Sequence, residues 1–263
     1  MHSTSQPYTI SLMVLRFDPK FGLPTAADLP DSDDTPVDNE LQNLIPNLLG
    51  AILAMAWPER VDWFFGVDMG IYFDPKQPAI VPDGFLSLGV ERFVGEQGRL
   101  SYVFWEEENV PPILALEVVS KTHGGEYERK KDRYADLGIC YYVVYRPNPA
   151  FKRRREALEV YVLADGAYEK LEGDRIFWLP EVGLGLGRDR GVHLGYEREW
   201  LYWYSETGDR LPTPEELAQQ AQANADRAQT EAQRAQMQAE QAQSRAEQLA
   251  EKLRSLGIDP DSV

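Results

Sequence analysis

The stretch PPILALEVVSKTHGG, residues 111–125, places a carboxylate inside an otherwise apolar strand pattern. Alternate residues of a strand share a face, so Glu117 lies on the side of Ala115, while Leu114 and Leu116 lie on the other. Both faces are otherwise apolar, which is typical of a central strand covered on both sides. A charge at such a position is costly unless a metal ion or a lysine compensates it. The alternative is that Glu117 lies at the end of the strand, near solvent.

Similar patterns on either side of this stretch predict further strands and two helices. Helical spacing predicts a helix over 39–57, which Pro46 kinks or splits, and a helix over 126–138 that ends at Gly138. The turn pair Asp165-Gly166 predicts a hairpin within 157–173. Short runs rich in aromatic and β-branched residues predict the other strands: VDWFFGV (61–67), MGIYF (69–73), IVPDGFLSL (80–88), SYVFWEE (101–107) and CYYVVYRP (140–147). This order predicts an α/β or α+β core.

A second acid lies in one of the predicted strands. Asp83 shares a strand face with Val81 and Phe85, and it follows Pro82. The alternative is that Asp83 is a turn residue. Two carboxylates on neighbouring strands can converge on one divalent cation, and Mg²⁺ is usually held by one or two protein carboxylates plus water and phosphate.

The helix predicted over 126–138 carries an inward lysine. Tyr127, Lys130, Tyr134 and Leu137 follow one another at helical spacing and form one stripe, on which Lys130 is the sole charge. An inward lysine needs a carboxylate partner or an anionic ligand. The alternative is that its stem packs against the core while its amine extends to water.

The composition of the chain limits the kinds of protein that it can be. The chain has 263 residues, of which 43% are hydrophobic, and a single cysteine, Cys140, which excludes an internal disulfide. No apolar run approaches the roughly 20 residues that span a bilayer, and no N-terminal signal pattern is present, so we expect a cytoplasmic protein without a membrane segment. The formal net charge of −16 disfavours a protein that coats nucleic acid, but it leaves open a small site that bridges to phosphate through a metal ion.

The C-terminal segment, residues 213–256, has a different pattern. Alanines recur at alternating spacings of three and four from Ala218 to Ala246, and Leu249 and Leu253 continue the series. This heptad seam predicts a coiled-coil helix through which copies of the chain form a homo-oligomer. The alternative is an alanine-rich helix that is solvated on all sides.

The order of these motifs resembles the Uma-two family of restriction-endonuclease-like proteins, within the PD-(D/E)xK nuclease superfamily. The resemblance covers roughly residues 35–205 and the tail that ends in LGIDP (256–260). The motifs that carry it are Pro82-Asp83, Glu117-Val118-Val119-Ser120, the lysine-bearing helix with Tyr134, and GICYYVVY (138–145).

The resemblance implies a fold and a set of domains. The fold is a mixed central sheet flanked by helices, followed by the coiled-coil helix. It implies an irregular arm over 1–38, a restriction-endonuclease-like domain over 39–210 and the tail over 213–256.

The resemblance also implies a site. Asp83 and Glu117 are the implied metal ligands for Mg²⁺ (or Mn²⁺), and DNA is the implied substrate. The superfamily places a lysine where this chain has Val119. In the family a lysine on the following helix takes the place of that strand lysine, and Lys130 matches its position. Lys121 is the other candidate for the site lysine. Glu40 is the candidate acid on the first helix. Arg146 stands where the family usually has an aspartate.

Three functions remain in competition at this point. The first is a metal-dependent endonuclease, in which Lys130 orients the attacking water. The second is an inactive scaffold that retains a nuclease-derived fold, which the acidity of the chain and Val119 favour. The third is a hydrolase that uses the same acids on small molecules. The presence of Asp83, Glu117 and an inward Lys130 together favours the first.

Overall fold

The computed structural model describes residues 22–30, 39–119, 126–147, 156–173 and 175–255. Two compact units divide the chain, Met1–Thr213 and Pro214–Val263. The elements follow in this order: α1 (Leu41–Ala56), β1 (Trp63–Val67), β2 (Ile71–Tyr72), β3 (Gly84–Leu88), β4 (Tyr102–Val103), β5 (Leu114–Val118), α2 (Glu126–Asp136), β6 (Tyr141–Tyr145), β7 (Leu158–Ala164), β8 (Ala167–Lys170), β9 (Ile176–Leu179), β10 (Leu184–His193), β11 (Tyr196–Tyr204) and α3 (Pro214–Ser255).

A six-stranded mixed sheet forms the centre of the first unit. Its strand order is β1-β3-β5-β6-β7-β8. Only the β5–β6 pair of this sheet is parallel, and the connection between these two strands contains α2, as a parallel pair requires a crossover. A separate antiparallel sheet has the order β11-β10-β9, and β2 and β4 form a short parallel pair. The predicted restriction-endonuclease-like α/β architecture is confirmed.

Both faces of β5 are covered, as the sequence predicted. Leu114, Leu116 and Val118 belong to a core that also contains residues of α1 and of the second sheet. Ala115 and Val119 belong to a core on the opposite face, together with residues of α2 and the β2–β4 region. Glu117 therefore points toward the α2 side of the central sheet.

The first helix crosses the central sheet at close range. Pro46 lies inside α1, which is one continuous helix and is not split. At the beginning of β3, a Cβ added to Gly84 would lie 2.7 Å from Cβ of Pro46, so a glycine is needed where the helix meets the strand. From the other side, the indole N–H of Trp203 on β11 donates a hydrogen bond to the carbonyl of Leu49 at 3.1 Å. α1 is thus fixed between the two sheets.

The second unit contains α3, a helix of 42 residues without a buried residue in its described part. The helix begins at Pro214, directly after Thr213. Its predicted end at Leu256-Gly257 lies outside the described residues. No helix in the described part of the chain combines the length and the apolar character that a membrane span requires.

Candidate active site

Glu117 is the buried carboxylate around which the site is built. It lies in the middle of the central sheet, next to Val144 of the parallel strand β6, and is 2% exposed. Its neighbours on the same face, Ala115 and Val119, are apolar and buried. A carboxylate in such surroundings needs hydrogen bonds or an opposite charge to remain ionised. Both come from α2.

Lys130 supplies the opposite charge. Its ammonium nitrogen lies 3.0 Å from Oε1 and 3.1 Å from Oε2 of Glu117. The same ammonium donates a hydrogen bond to the carbonyl of Val81, two residues before Asp83, at 2.9 Å. The Lys130 side chain is 21% exposed and that of Glu117 is 3% exposed, so the pair lies at the edge of the core. The inward direction of Lys130 follows from its place on the apolar stripe of α2.

Tyr134 provides a second donor to the same carboxylate. One helical turn after Lys130, its hydroxyl donates a hydrogen bond to Oε1 of Glu117 at 2.6 Å, and the residue is fully buried. Burial, followed by the negative charge of Glu117, raises the pKa of Tyr134 well above its ordinary value. Tyr134 is therefore a neutral hydrogen-bond donor at any physiological pH.

Asp83 lies beside this pair, directly before β3. Its Oδ2 accepts a hydrogen bond from the backbone N–H of Val118 at 2.5 Å. Among the described residues, none donates a hydrogen bond to its Oδ1. Burial, followed by the negative charge of Glu117, raises the pKa of Asp83 to about 8, although the Val118 amide and Lys130 act in the opposite direction. The nearby Asp68 raises it further, and the backbone N–H of Asp68 donates a hydrogen bond to the Asp83 carbonyl at 3.2 Å.

The charges of this cluster do not balance when all three groups are ionised. Asp83 and Glu117 contribute two negative charges, while Lys130 contributes one positive charge. Burial and, after it, the charge of Glu117 raise the pKa of Asp83, so the surroundings disfavour its negative charge unless a proton or a cation compensates it. Carboxylate oxygens are the ligands that Mg²⁺ prefers, so the donor set fits a hard divalent ion.

The protein donors for such an ion are few. Within the described ranges, no group of three or more His, Cys, Asp or Glu side chains is arranged to hold a metal ion. A site built on Asp83 and Glu117 therefore leaves most coordination positions to water and substrate, as is usual for Mg²⁺ bound together with phosphate.

Glu40, the fourth predicted site residue, lies outside this cluster. It occupies the N-cap position of α1, without a capping hydrogen bond from its side chain, and is exposed. The hydroxyl of Tyr196 donates to its Oε2 at 3.5 Å, the limit of a hydrogen bond. Among the described contacts, none joins Glu40 to Asp83, Glu117 or Lys130.

Two departures from the superfamily pattern have a structural explanation. Val119, at the position of the superfamily lysine, is 8% exposed and packs in the apolar core beside α2. Arg146, at the position of the usual aspartate, is buried and forms an ion pair with Glu159 of β7 at 2.6 Å. Neither residue contributes a charge to the Asp83–Glu117–Lys130 cluster.

Some sequence predictions fall on residues that the structure does not describe. Lys121, the competitor of Lys130, lies outside the described residues. The sequence patterns did not predict the contact of Lys130 with the Val81 carbonyl or that of the Tyr134 hydroxyl with Glu117. For Tyr134 a signal was present, because it lies four residues after Lys130 on the same stripe.

A cavity of about 540 Å³ lies among other residues of the first unit. Its lining includes Val90, Arg99, Ser101 and Glu107, and none of the four predicted site residues. Arg99 and Glu107 form a part-buried ion pair at 2.6 Å, and the other charged residues of the lining are Glu91, Glu106 and Glu108, without a lysine. The cavity therefore does not share the chemistry of the acid–lysine cluster.

Comparison with known protein families identifies the chain. The model of the Uma2 family, described as “putative restriction endonuclease”, matches residues 34–190, more than half of the chain. The chain belongs to the Uma2 family. The match contains Asp83, Glu117 and Lys130, so the acid–lysine cluster lies within the Uma2 domain. Among curated proteins, no relative matches the chain.

Proposed function

We propose that this Uma2 protein is an endonuclease that hydrolyses phosphodiester bonds of DNA and depends on Mg²⁺ (or Mn²⁺). The observation that supports this most is the pairing of a buried carboxylate, Glu117, with an inward lysine, Lys130, directly beside a second carboxylate whose pKa is raised to about 8. Such perturbed groups concentrate at functional sites. The family description supports a nuclease-like function.

Each residue has a role in this proposal. Asp83 and Glu117 hold the ion through carboxylate oxygens. The chemistry supplied by a bound divalent ion is polarisation of the phosphate and a lowered pKa of bound water. Lys130, whose side chain is 21% exposed, would orient the attacking water and stabilise, through its positive charge, the negative charge that develops on the phosphate oxygens.

Glu40 has the role of an outer acid on α1. In this proposal it accepts hydrogen bonds from waters of the bound substrate complex rather than contacting the ion. Glu40→Gln tests the role: a loss of cleavage rate smaller than that of Asp83→Ala supports it, and an unchanged rate removes Glu40 from the site.

The nuclease proposal is tested by cleavage of supercoiled and linear DNA, with an RNA of the same sequence as a comparison. We expect cleavage with Mg²⁺ or Mn²⁺, none with EDTA, and at least about 100-fold slower cleavage by Asp83→Ala. Glu197→Ala is the matched control, because Glu197 is 73% exposed and only forms a surface ion pair with Arg190. A wild-type protein that cuts no DNA, or an Asp83→Ala variant as fast as wild type, contradicts the proposal.

A second candidate function is a scaffold without catalysis. One observation favours it: Lys130 forms an ion pair with Glu117, which compensates the charge of this carboxylate within the protein itself. On this alternative the acid–lysine cluster only stabilises the fold. Divalent ions then neither bind at Asp83 nor support cleavage, and the assay above separates the two functions.

We also propose that copies of the chain associate through α3. The alanine seam is exposed along the described helix, and Leu249 at its C-terminal end is 62% exposed. Alanine side chains bury little area but permit close approach of two helices. Sedimentation of the full chain and of a chain truncated after residue 213 tests this: only the full chain forms oligomers if α3 is the contact.

A further inference from the structure

Tyr134 is a buried group that the proposed mechanism does not use. Its hydroxyl donates to Oε1 of Glu117 at 2.6 Å, while the ammonium of Lys130 contacts both Oε1 and Oε2 at nearly equal distances. The lysine contact is therefore nearly symmetric about the carboxylate and does not determine how it is rotated. The tyrosine contact distinguishes the two oxygens and fixes Oε1 toward α2.

Packing holds the tyrosine hydroxyl in place. The ring of Tyr134 lies 5.5 Å from that of Tyr142 on β6, and Tyr142 in turn contacts the ring of Tyr168 at 5.7 Å. Tyr142 shares the sheet face of Glu117, because its strand partner is Ala115, two residues before the acid. Close-packed aromatic rings leave little freedom for the hydroxyl to move. A donor fixed in this way can orient a carboxylate.

We propose that Tyr134 is a positioning residue that holds the Glu117 carboxylate in the orientation in which it shares a divalent cation with Asp83. This inference rests on the proposed function, since it assumes that the ion binds at these two acids. Hydrogen bonds to metal-binding carboxylates orient them, and their removal typically weakens metal affinity. Without the hydroxyl, no contact from α2 distinguishes the two oxygens of Glu117, so the carboxylate can rotate out of the orientation that an ion requires.

The alternative is a structural role, in which the hydroxyl only satisfies a buried carboxylate. Both roles lower the melting temperature of Tyr134→Phe, so stability does not separate them. Metal affinity does, because a structural hydroxyl has no effect on it once the variant is folded. Tyr168→Phe is the matched control: its hydroxyl donates to the carbonyl of Ile139 at 2.6 Å, in the same aromatic cluster but away from Glu117.

The experiment is a titration of the full-length, DNA-free protein with Mn²⁺, followed by the electron paramagnetic resonance signal of the free ion. We expect Tyr134→Phe to raise the Kd for Mn²⁺ about 10- to 100-fold and Tyr168→Phe to leave it within about twofold of wild type. An unchanged Kd for Tyr134→Phe overturns the inference. If Asp83→Ala binds Mn²⁺ as tightly as wild type, the ion does not bind at this site, and the proposed function fails together with the inference.

A second measurement uses the wild-type protein and does not depend on the folding of any variant. The hydroxyl proton of Tyr134 is fully buried and hydrogen-bonded, which slows its exchange with water. We expect its nuclear magnetic resonance signal to shift on addition of Mg²⁺, while the hydroxyl signal of Tyr168 does not shift. A Tyr134 signal that is insensitive to Mg²⁺ at saturation contradicts the positioning role.

Discussion

At the scale of single residues, the balance of charge around Glu117 determines both stability and chemistry. A carboxylate that is 2% exposed receives an ion pair from Lys130 and a hydrogen bond from Tyr134, both from one helix. Removal of one partner of a buried ion pair leaves an uncompensated charge, which costs more than the pair itself contributes. The same arrangement gives an ammonium group that reaches the edge of the core, where a phosphate can meet it.

The first prediction concerns this ion pair. Lys130→Met leaves the Glu117 charge buried, so we expect the free energy of unfolding to fall by about 3 kcal/mol. The double variant Glu117→Gln/Lys130→Met removes both charges and should recover most of that loss, since two neutral groups of similar shape replace the pair. Urea denaturation in EDTA measures both. Equal destabilisation of the single and double variants contradicts the role of Lys130 as the compensating charge.

The second prediction concerns the pH dependence of stability without metal. The pKa of Asp83 is raised in the folded protein to about 8 from an ordinary value of 3.8, so the folded state binds more protons than the unfolded state between these values. Its contribution to stability is fully present below pH 3.8 and is lost as the pH rises through about 8. Asp83→Asn mimics the protonated acid and has no such loss.

The stability difference between Asp83→Asn and wild type should therefore grow in favour of the variant from pH 5.5 to pH 8.5, by up to about 1.4 kcal/mol per pH unit. Urea denaturation in EDTA at several pH values measures it. A difference that is constant over this range shows that Asp83 keeps an ordinary pKa.

Sequence reasoning found Glu117, Asp83 and Lys130 because each is a charge on a face that is otherwise apolar. Strand and helix periodicity are enough to detect such residues. Periodicity could not predict the contact of Lys130 with the Val81 carbonyl, because this contact depends on the path of the chain before β3 and on the rotamer of the lysine. The separation of Glu40 from the cluster also depends on where α1 begins relative to the sheet.

At the scale of elements, the two leucines near the C-terminal end of α3 favour one orientation for the association proposed above. In an antiparallel arrangement of the heptad seam, Leu253 faces Ala221 and Leu249 faces Ala225, so a large residue meets a small one at both ends. A parallel arrangement instead places Leu249 against Leu249 and alanine against alanine along most of the seam. The even distribution of side-chain size favours the antiparallel pair.

Charges beside the seam favour the same orientation. In the antiparallel register, Glu231 of one helix lies opposite Arg245 of the other, and symmetry repeats this pair. In the parallel register, Glu231 lies opposite Gln236 and Arg245 opposite Ala250, which gives no ion pair. Charged residues that flank the seam set the orientation of coiled coils.

The third prediction is a distance between spin labels in the dimer. A label at Ala223 should be separated from its copy by about 42 Å along the axis in the antiparallel register, at 1.5 Å per residue, and by almost nothing along the axis in a parallel one. A label at Met237 is the control, because it lies near the centre and gives a short distance in both. Two short distances indicate a parallel pair, and no dipolar coupling at either position indicates a monomer.

The second sheet contains a strand, β10, that the sequence patterns did not predict. The patterns above predict no strand over EVGLGLGRDRG (181–191), although Leu184 and Leu186 alternate with glycine. The glycines have a packing reason: a Cβ on Gly187 would lie 2.6 Å from the carbonyl oxygen of Arg175 and 2.8 Å from the ring of Tyr204. Tertiary contacts of this kind cannot be predicted from local propensity, which disfavours glycine in strands.

At the scale of the whole molecule, the fold positions an acid–lysine cluster where the parallel strands β5 and β6 and their crossover helix α2 meet the beginning of β3. The apolar residues on both faces of β5 predicted its place at the centre of a sheet, and the two apolar cores on its faces confirm that place. The net charge of −16 is unfavourable for contact with phosphates. In the proposed function, a metal ion at Asp83 and Glu117 would give this acidic protein one local positive centre for a phosphodiester.

The measurement that tests this account most directly is the anomalous difference map of a crystal soaked with Mn²⁺. We predict a peak that lies within about 2–2.6 Å of one carboxylate oxygen of Asp83 and one of Glu117, with Lys130 beside it. The peak should be absent from crystals of Asp83→Ala grown in the same way. A map without a peak between these two acids, while Lys130 and Glu117 keep their ion pair, contradicts the account and favours the scaffold.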